Sequence, residues 1–314
     1  MTRKGLVIRS TGSWYQVMVD NNVIPCRIVG KFRLNGYRLT NPVAVGDEVE
    51  IEMEEEGKGL IKKIHDRKNY VVRQSPRKKH QLHLLASNID QALLIVTIVE
   101  PKLKLGFIDR FLIMTEPYDI PVHIIFNKSD LYNAEDLEIF DILSDIYSDL
   151  GYKVHLVSAE EGKGLEDIRQ ILANKLSLVA GQSGVGKSTL INAIQGGLGL
   201  KTTELSDFSG KGQHTTTFAE MFDLEFGGKI IDTPGIKTLS FNHLEVMDVA
   251  HNVRELFEYS SGCKFNNCTH RNEPKCAVKE AIENGEISEL RYQNYLQIVE
   301  EIEDQNYWEL HTDM

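Results

Sequence analysis

No stretch of apolar residues approaches the ~20 needed to cross a bilayer as a helix, so a membrane-spanning protein is not expected. Met1 to Ser10 is basic, but no apolar stretch of roughly 7 to 15 residues follows it, so a secretory signal is not expected and a cytoplasmic location is. Cysteine is scarce, with 4 in 314 residues, and a cytosolic chain rarely keeps structural disulfides. Internal repeats and low-complexity tracts are lacking too, and at this length a small peptide scaffold is excluded. Positive charge is also short overall: the net charge of -11 argues at first against nucleic acid, whose phosphates need cationic surface. The deficit is uneven. Residues 1–80 carry 16 Lys and Arg against 9 Asp and Glu, so only the N-terminal quarter has the charge of a polyanion-binding surface.

What is present reads as two or three domains of an ordinary soluble globular chain, 41% hydrophobic and 26% charged. Over residues 1–72, five short strand-like segments (GLVIRS, WYQVMVD, VIPCRIVG, DEVEIEM, GLIKKIH) are separated by turn residues, which points to a small all-β barrel of the OB-fold kind and an RNA-binding role. Trp14, Tyr15, Phe32 and Tyr37 are candidates for base stacking or for the core, and Cys26 for the core. Residues 73–84, polar and basic, read as a linker or arm. Over 85–240 buried strands alternate with helical segments, the pattern of a parallel sheet covered by helices in an α/β domain. Over 241–314 strands disappear and a Cys/His cluster precedes helical text, in which Leu290, Tyr295, Leu296, Ile298, Val299 and Ile302 approximate one apolar stripe.

Gly181, Gln182, Ser183, Gly184, Val185, Gly186, Lys187, Ser188 and Thr189 match GxxxxGK[ST] between an apolar strand and a helical segment. The glycines let backbone N–H groups converge on phosphates at a helix N-terminus. Lys187 is placed to reach the β- and γ-phosphates and Ser188 to ligate Mg²⁺. Asn127, Lys128, Ser129 and Asp130 end another buried strand, where an ionised Asp130 accepts two hydrogen bonds from guanine that adenine cannot offer. Asn127 would brace the loop and the Lys128 stem would pack on the purine. Ser158 and Ala159 stand where a backbone N–H meets guanine O6. Asp232, Thr233, Pro234 and Gly235 supply a water-mediated Mg²⁺ contact through Asp232 and a γ-phosphate-sensing N–H at Gly235. Together these residues resemble a GTPase, but in the order NKSD, SA, P-loop, DTPG, whereas Ras-like proteins begin with the P-loop. The order is that of a circular permutation, and it runs the γ-phosphate-sensing segment directly into the C-terminal module.

Cys263, Cys268, His270 and Cys276 form CxxxxCxHxxxxxC, and three thiolates with an imidazole satisfy tetrahedral Zn²⁺ in a closed, structural site; reduced unliganded cysteines or a redox pair are the alternatives. The permuted motifs, the barrel and this cluster together resemble the ribosome small subunit-dependent GTPase A family over nearly the whole chain. That resemblance implies a cytoplasmic bacterial GTPase that hydrolyses GTP to GDP and phosphate. It also implies binding to the small ribosomal subunit and its rRNA, action in late subunit maturation, and hydrolysis stimulated by that subunit. The position that carries a water-orienting Gln in Ras-like enzymes is Ile236 here. Residues 212–217, GQHTTT, are similar to the family's GxHTT element, which makes His214 the catalytic candidate, with Gln213 its rival, and Thr216 or a neighbour the switch Mg²⁺ ligand. The alternative suggested by Ile236 is a nucleotide-gated RNA-binding protein with negligible catalysis; an ATP-using P-loop protein is opposed by Asp130. Nothing demands more than a monomer.

Overall fold

The computed structural model of the protein describes residues 2–11, 13–30, 41–54, 57–74, 82–196, 219–233 and 244–311. Strands β1 (Thr2–Ser10), β2 (Tyr15–Val19), β3 (Asn22–Ile28), β4 (Glu48–Met53) and β5 (Gly59–Ile64) close into an OB-like barrel in the order β1-β2-β3-β5-β4-β1, with β3 and β5 parallel and the other pairs antiparallel. Alternation drives the closure. In β2, Tyr15, Val17 and Val19 point into a core shared with Val7, Ile24, Cys26, Val49, Ile51 and Ile61, while Gln16 and Met18 face outward. Asp20 and Asn21, both at positive φ, make the tight β2–β3 turn that matches strand twist. Tyr15 and Cys26 are core residues, and burial, aided by the Glu54 carboxylate, pushes the Cys26 thiol up to about 11. Trp14 is half-buried with the Arg27 guanidinium 4.2 Å from its ring centroid. Phe32 and Tyr37 lie outside the described residues.

The stretch expected as a linker differs from that expectation at both ends. β6 (Tyr70–Gln74) and β7 (Leu82–Ser87) pair antiparallel, so Arg73 and Gln74 and, across from them, His83 and Leu82 are strand; residues 75–81 lie outside the described residues. The apolar run at Leu84, Leu85 and Ala86 is buried against Val71, which outweighs the polar composition of the flanks. Side-chain amides stitch this hairpin to the barrel by imitating backbone. Asn41 Nδ2 donates to Leu84 O (3.0 Å) while its Oδ1 accepts from Leu84 N (2.9 Å), and Asn69, just before β6, makes the same pair with Ile89, just after β7, closing the open end of the hairpin (2.8 and 2.9 Å). The fully buried Asp47 carboxylate accepts from Ala44 N, Ser87 Oγ and the Arg67 guanidinium at 2.6–2.8 Å. A buried charge paired this completely is tolerated.

The central sheet has the order β10-β9-β8-β11-β13-β12, built from β8 (Gln91–Val96), β9 (Val122–Phe126), β10 (Lys153–Leu156), β11 (Leu176–Gly181), β12 (Glu220–Asp223) and β13 (Lys229–Asp232). All neighbours are parallel except β12 and β13. Its helices are α1 (Leu105–Thr115), α2 (Ala134–Asp149), α3 (Leu165–Leu172) and α4 (Lys187–Ile194). Alternate residues of β8 feed two layers. Ala92, Leu94 and Val96 pack with Ile108, Phe111 and Leu112 of α1 and Leu143 and Tyr147 of α2; Leu93 and Ile95 pack with Ile168 of α3 and Leu190, Ile191 and Ile194 of α4. Strand β12 has no apolar run that predicts it from sequence. It joins the sheet to the barrel, with Arg9 of β1 opposite Glu220 and Ser10 N donating to Ala219 O at 3.3 Å.

The C-terminal helices are α5 (Val246–His251), α6 (Arg254–Ser260), α7 (Ala277–Glu283) and α8 (Glu289–His311). Tyr295, Ile298, Val299 and Ile302 of α8 are buried, with Leu290 and Leu296 half-buried beside them, as the apolar stripe requires. The module is bolted to α1 through buried charge: Arg291 donates to both Glu255 carboxylate oxygens (2.7 and 2.8 Å) and to Asp109, which also accepts from Tyr147 Oη (2.9 Å) and Asn294. Among the described residues no helix is long and apolar enough to cross a membrane.

Candidate nucleotide site and metal centre

The turn after β11 winds through Gly181, Gly184 and Gly186, all at positive φ, into the first turn of α4. Two of these glycines are also forced by space. A Cβ on Gly181 would sit 2.2 Å from Ile95 O, and one on Gly186 2.4 Å from Asn127 Nδ2. The loop therefore leaves its N–H groups at a helix N-terminus, where partial positive charge attracts anions. Lys187 folds over it, donating to Gly181 O (3.0 Å) and Gln182 O (2.8 Å). Burial pushes its ammonium down to about 8, and the Asp232 carboxylate opposes that shift. Phosphate oxygens arriving there would favour the charged form.

The second element arrives from β9. Asn127, 1% exposed, donates through Nδ2 to Val185 O (2.9 Å) and accepts through Oδ1 from Ala159 N (3.2 Å), so one amide joins the P-loop, NKSD and SA segments. The Ser158 hydroxyl donates to Asp130 Oδ1 (2.5 Å) and accepts from Glu161 N (3.0 Å), aiming an exposed carboxylate from a buried support. Lys128, itself at positive φ, donates to Glu100 O (2.7 Å). Between these groups lies a pocket of about 290 Å³ lined by Asn127, Lys128, Asp130, Leu131, Ala159, Glu160, Gly186 and Thr189. The cavity thus lies at the Asp130 end, where a hydrogen-bonding ring fits, and reaches the P-loop at Gly186 and Thr189, next to the cradle that attracts an anionic tail.

Asp232 and Thr233 close β13 beside the P-loop strand; Asp232 is 3% exposed and Thr233 Oγ1 donates to Val179 O (3.1 Å). His214, its rival Gln213, Thr216, Gly235 and Ile236 lie outside the described residues. Tyr132 was missed by the sequence reading. Its hydroxyl donates to Asn127 O and accepts from Ile98 N, both 3.0 Å, bracing the NKSD turn against the segment after β8. Only its spacing of five residues from Asn127 hints at this, and no pattern singles it out.

Cys263, Cys268, His270 and Cys276 place their ligand atoms within 4.8 Å of one another. Tetrahedral zinc with Zn–S of about 2.3 Å and Zn–N of about 2.0 to 2.1 Å sets S···S near 3.8 Å and S···N near 3.5 Å. The observed separations are 3.8 Å for Cys263–Cys276 and 3.7 and 3.5 Å from those sulfurs to His270 Nδ1. The cluster fits a structural zinc site. Outer partners hold the loop: Tyr292 and Tyr295 of α8 donate to His270 O (2.6 Å) and Thr269 O (2.7 Å). Glu273 accepts from Thr269 N, Thr269 Oγ1 and Arg271 N; burial opposes its ionisation, but these hydrogen bonds prevail and hold it down at about 2.

A sheet of this order, with its P-loop late in the chain and its base-recognition motif early, defines a circularly permuted P-loop GTPase. Residues 64–242 match the RsgA GTPase family and residues 4–61 the RsgA N-terminal domain. The chain is 50% identical over 305 residues to the small ribosomal subunit biogenesis GTPase RsgA 2 of Bacteroides thetaiotaomicron (97% of this chain, 98% of that one) and 50% identical over 305 residues to the RsgA of Phocaeicola vulgatus (97% and 98%). Among solved structures, YjeQ from Thermotoga maritima superposes with a TM-score of 0.75 at 36% identity, covering 96% of this chain and 99% of that one. YloQ, described as a circularly permuted GTPase, gives 0.71 at 32% identity, covering 97% and 96%. The chain belongs to the RsgA GTPase family and is a GTP-hydrolysing enzyme, which sets aside the reading as a nucleotide-gated binder without catalysis.

Proposed function

We propose that this GTPase binds the small ribosomal subunit and its rRNA and acts in its late maturation, in the cytoplasm and as a monomer, with hydrolysis stimulated by that subunit. The supporting observation is the Asn127 amide, which ties the anion cradle to the Asp130 loop around one pocket despite their inverted order in the chain. In this reading Gly181 to Ser188 hold the phosphates, with Lys187 released from its loop carbonyls onto the β- and γ-phosphates. Asp130 takes the guanine donors, Ala159 N–H meets O6, and Lys128 packs on the ring. Ser188, Thr216 and Asp232, the last through water, hold the Mg²⁺ that accompanies GTP; Gly235 reports the γ-phosphate, and His214 orients or deprotonates water. The barrel and the basic stretch that leads from β6 to β7 face RNA, residues 85–240 hold the nucleotide, and 241–314 form the zinc module. GTP favours engagement and hydrolysis favours release, through differential affinity for the two states.

The test is phosphate release from GTP with no addition, with isolated small subunits and with large subunits. Stimulation confined to small subunits is expected; equal rates in all three would refute the reading. His214→Ala should keep guanine nucleotide affinity and lose most of the stimulated turnover, and undiminished turnover would remove His214 from the mechanism.

A further inference from the structure

Helix α2 carries a surface that nothing in the nucleotide cycle uses. Asn133 caps it, with Asn133 Oδ1 accepting from Asp136 N (2.9 Å) and Asp136 Oδ2 accepting from Asn133 N (3.0 Å), so the helix starts firmly three residues after the Asp130 loop. Its inner face buries Leu143 and Tyr147 and packs Phe140 against Phe126. The outward face is not the polar one expected of a surface helix. Ile139 and Ile142, one turn apart, are 38% and 59% exposed, and the half-buried Ile146 continues the row. At 100° per residue Glu138, Asp145 and Asp149 flank the row along one side, and Glu135 stands in line with it one turn before Ile139. From Ser129 to Tyr152 there are seven carboxylates and no Lys or Arg.

An isoleucine row edged by carboxylates sorts its partners. Phosphate backbones are repelled by the rim and offer little to the isoleucines, whereas a cationic protein segment with apolar side chains satisfies both parts at once. This charge is opposite to that of the barrel end of the chain. We propose that the outer face of α2 docks a basic, apolar-bearing segment of a small-subunit ribosomal protein rather than rRNA. The proposal rests on the small subunit being the partner. Because the docked segment abuts the helix that begins beside the guanine-recognition loop, it sits where binding and base recognition touch the same element.

The test places a photoreactive benzoylphenylalanine at Ile142 in the full chain and irradiates it with isolated small subunits and a non-hydrolysable GTP analogue. Co-sedimentation is scored first. If the unaltered chain fails to co-sediment with the subunits, the partner assignment falls and the proposal with it. With co-sedimentation intact, an adduct resistant to ribonuclease and sensitive to protease is expected. A ribonuclease-sensitive adduct, or none, overturns the proposal. Independently, Glu138→Lys/Ile142→Ser should weaken subunit binding by roughly tenfold, the loss of one apolar anchor and one favourable charge, with guanine nucleotide affinity unchanged as the check on folding. Subunit affinity equal to that of the unaltered chain would also overturn it.

Discussion

Replacing Arg291 with Met tests whether the zinc module is held to the nucleotide domain by buried charge. Arg291, Asp109 and Glu255 are 3%, 2% and 3% exposed, so removing the guanidinium exposes nothing to water and strands two carboxylates. The damage is unequal. Asp109 keeps Tyr147 Oη and Asn294 as donors, whereas Glu255 takes its charged hydrogen bonds from Arg291 Nε and Nη2. Breaking a buried pair from one side costs about 3 to 5 kcal/mol, against total stabilities of about 5 to 15 kcal/mol. At a urea m-value of about 2 kcal/mol/M, that lowers the unfolding midpoint by roughly 2 M. Adding Glu255→Gln to Arg291→Met removes the stranded charge and should recover about 1 to 3 kcal/mol. Urea unfolding followed by tryptophan fluorescence and far-UV circular dichroism measures both variants. A midpoint for Arg291→Met indistinguishable from the parent, or no recovery in the double variant, would refute the reasoning.

Gly186→Ala should lower GTP affinity more than tenfold and also cost at least about 1 to 2 kcal/mol of stability, because the new methyl strikes Asn127 Nδ2 at a backbone φ of +89°; isothermal titration and urea unfolding measure the two, and unchanged affinity would refute it. Cys276→Ser should cut zinc content well below about one per chain by atomic absorption and make the α7–α8 region more protease-sensitive, and full occupancy would contradict the ligand set. The third concerns pH. His123 and His155 contact each other at 3.1 Å on adjacent strands, and burial, with His155, Lys175 and Lys153 nearby, lowers the His123 imidazole to about 4. The unfolded chain, with a His pKa of about 6.5, then binds more protons, so this contribution is whole above about pH 6.5 and is lost as pH falls toward 4. His123→Gln should flatten that part of the stability–pH curve, and an unchanged slope would exclude the pair.

The parts legible in sequence were those whose physics is local. The P-loop is readable because three positive-φ glycines must stand at fixed spacing in one turn, and the cysteine cluster because its ligands fall within 14 residues. The barrel and the parallel strands show in period-two or continuous apolar runs. Asp109, Glu255 and Arg291 were invisible: the Arg291–Asp109 contact spans 182 residues and each side chain alone resembles a solvated one. The same holds for Asn41 and Asp47, whose partners Leu84 and Ser87 lie 43 and 40 residues away and become evident only when the barrel meets the β6–β7 hairpin. Strand β12 escaped because Met221 and Phe222 stand between two acidic residues with no β-branched neighbour, unlike the other short strands, and the hairpin because polar flanks masked the alternation around Val71 and Leu84.

The amide-stitched seam between barrel and hairpin has a corollary. With Asn41 and Asp47 tying the barrel to the hairpin and Arg291 tying α8 to α1, each flanking module meets its neighbour through buried, paired polar groups, and neither can separate without stranding a donor or a charge.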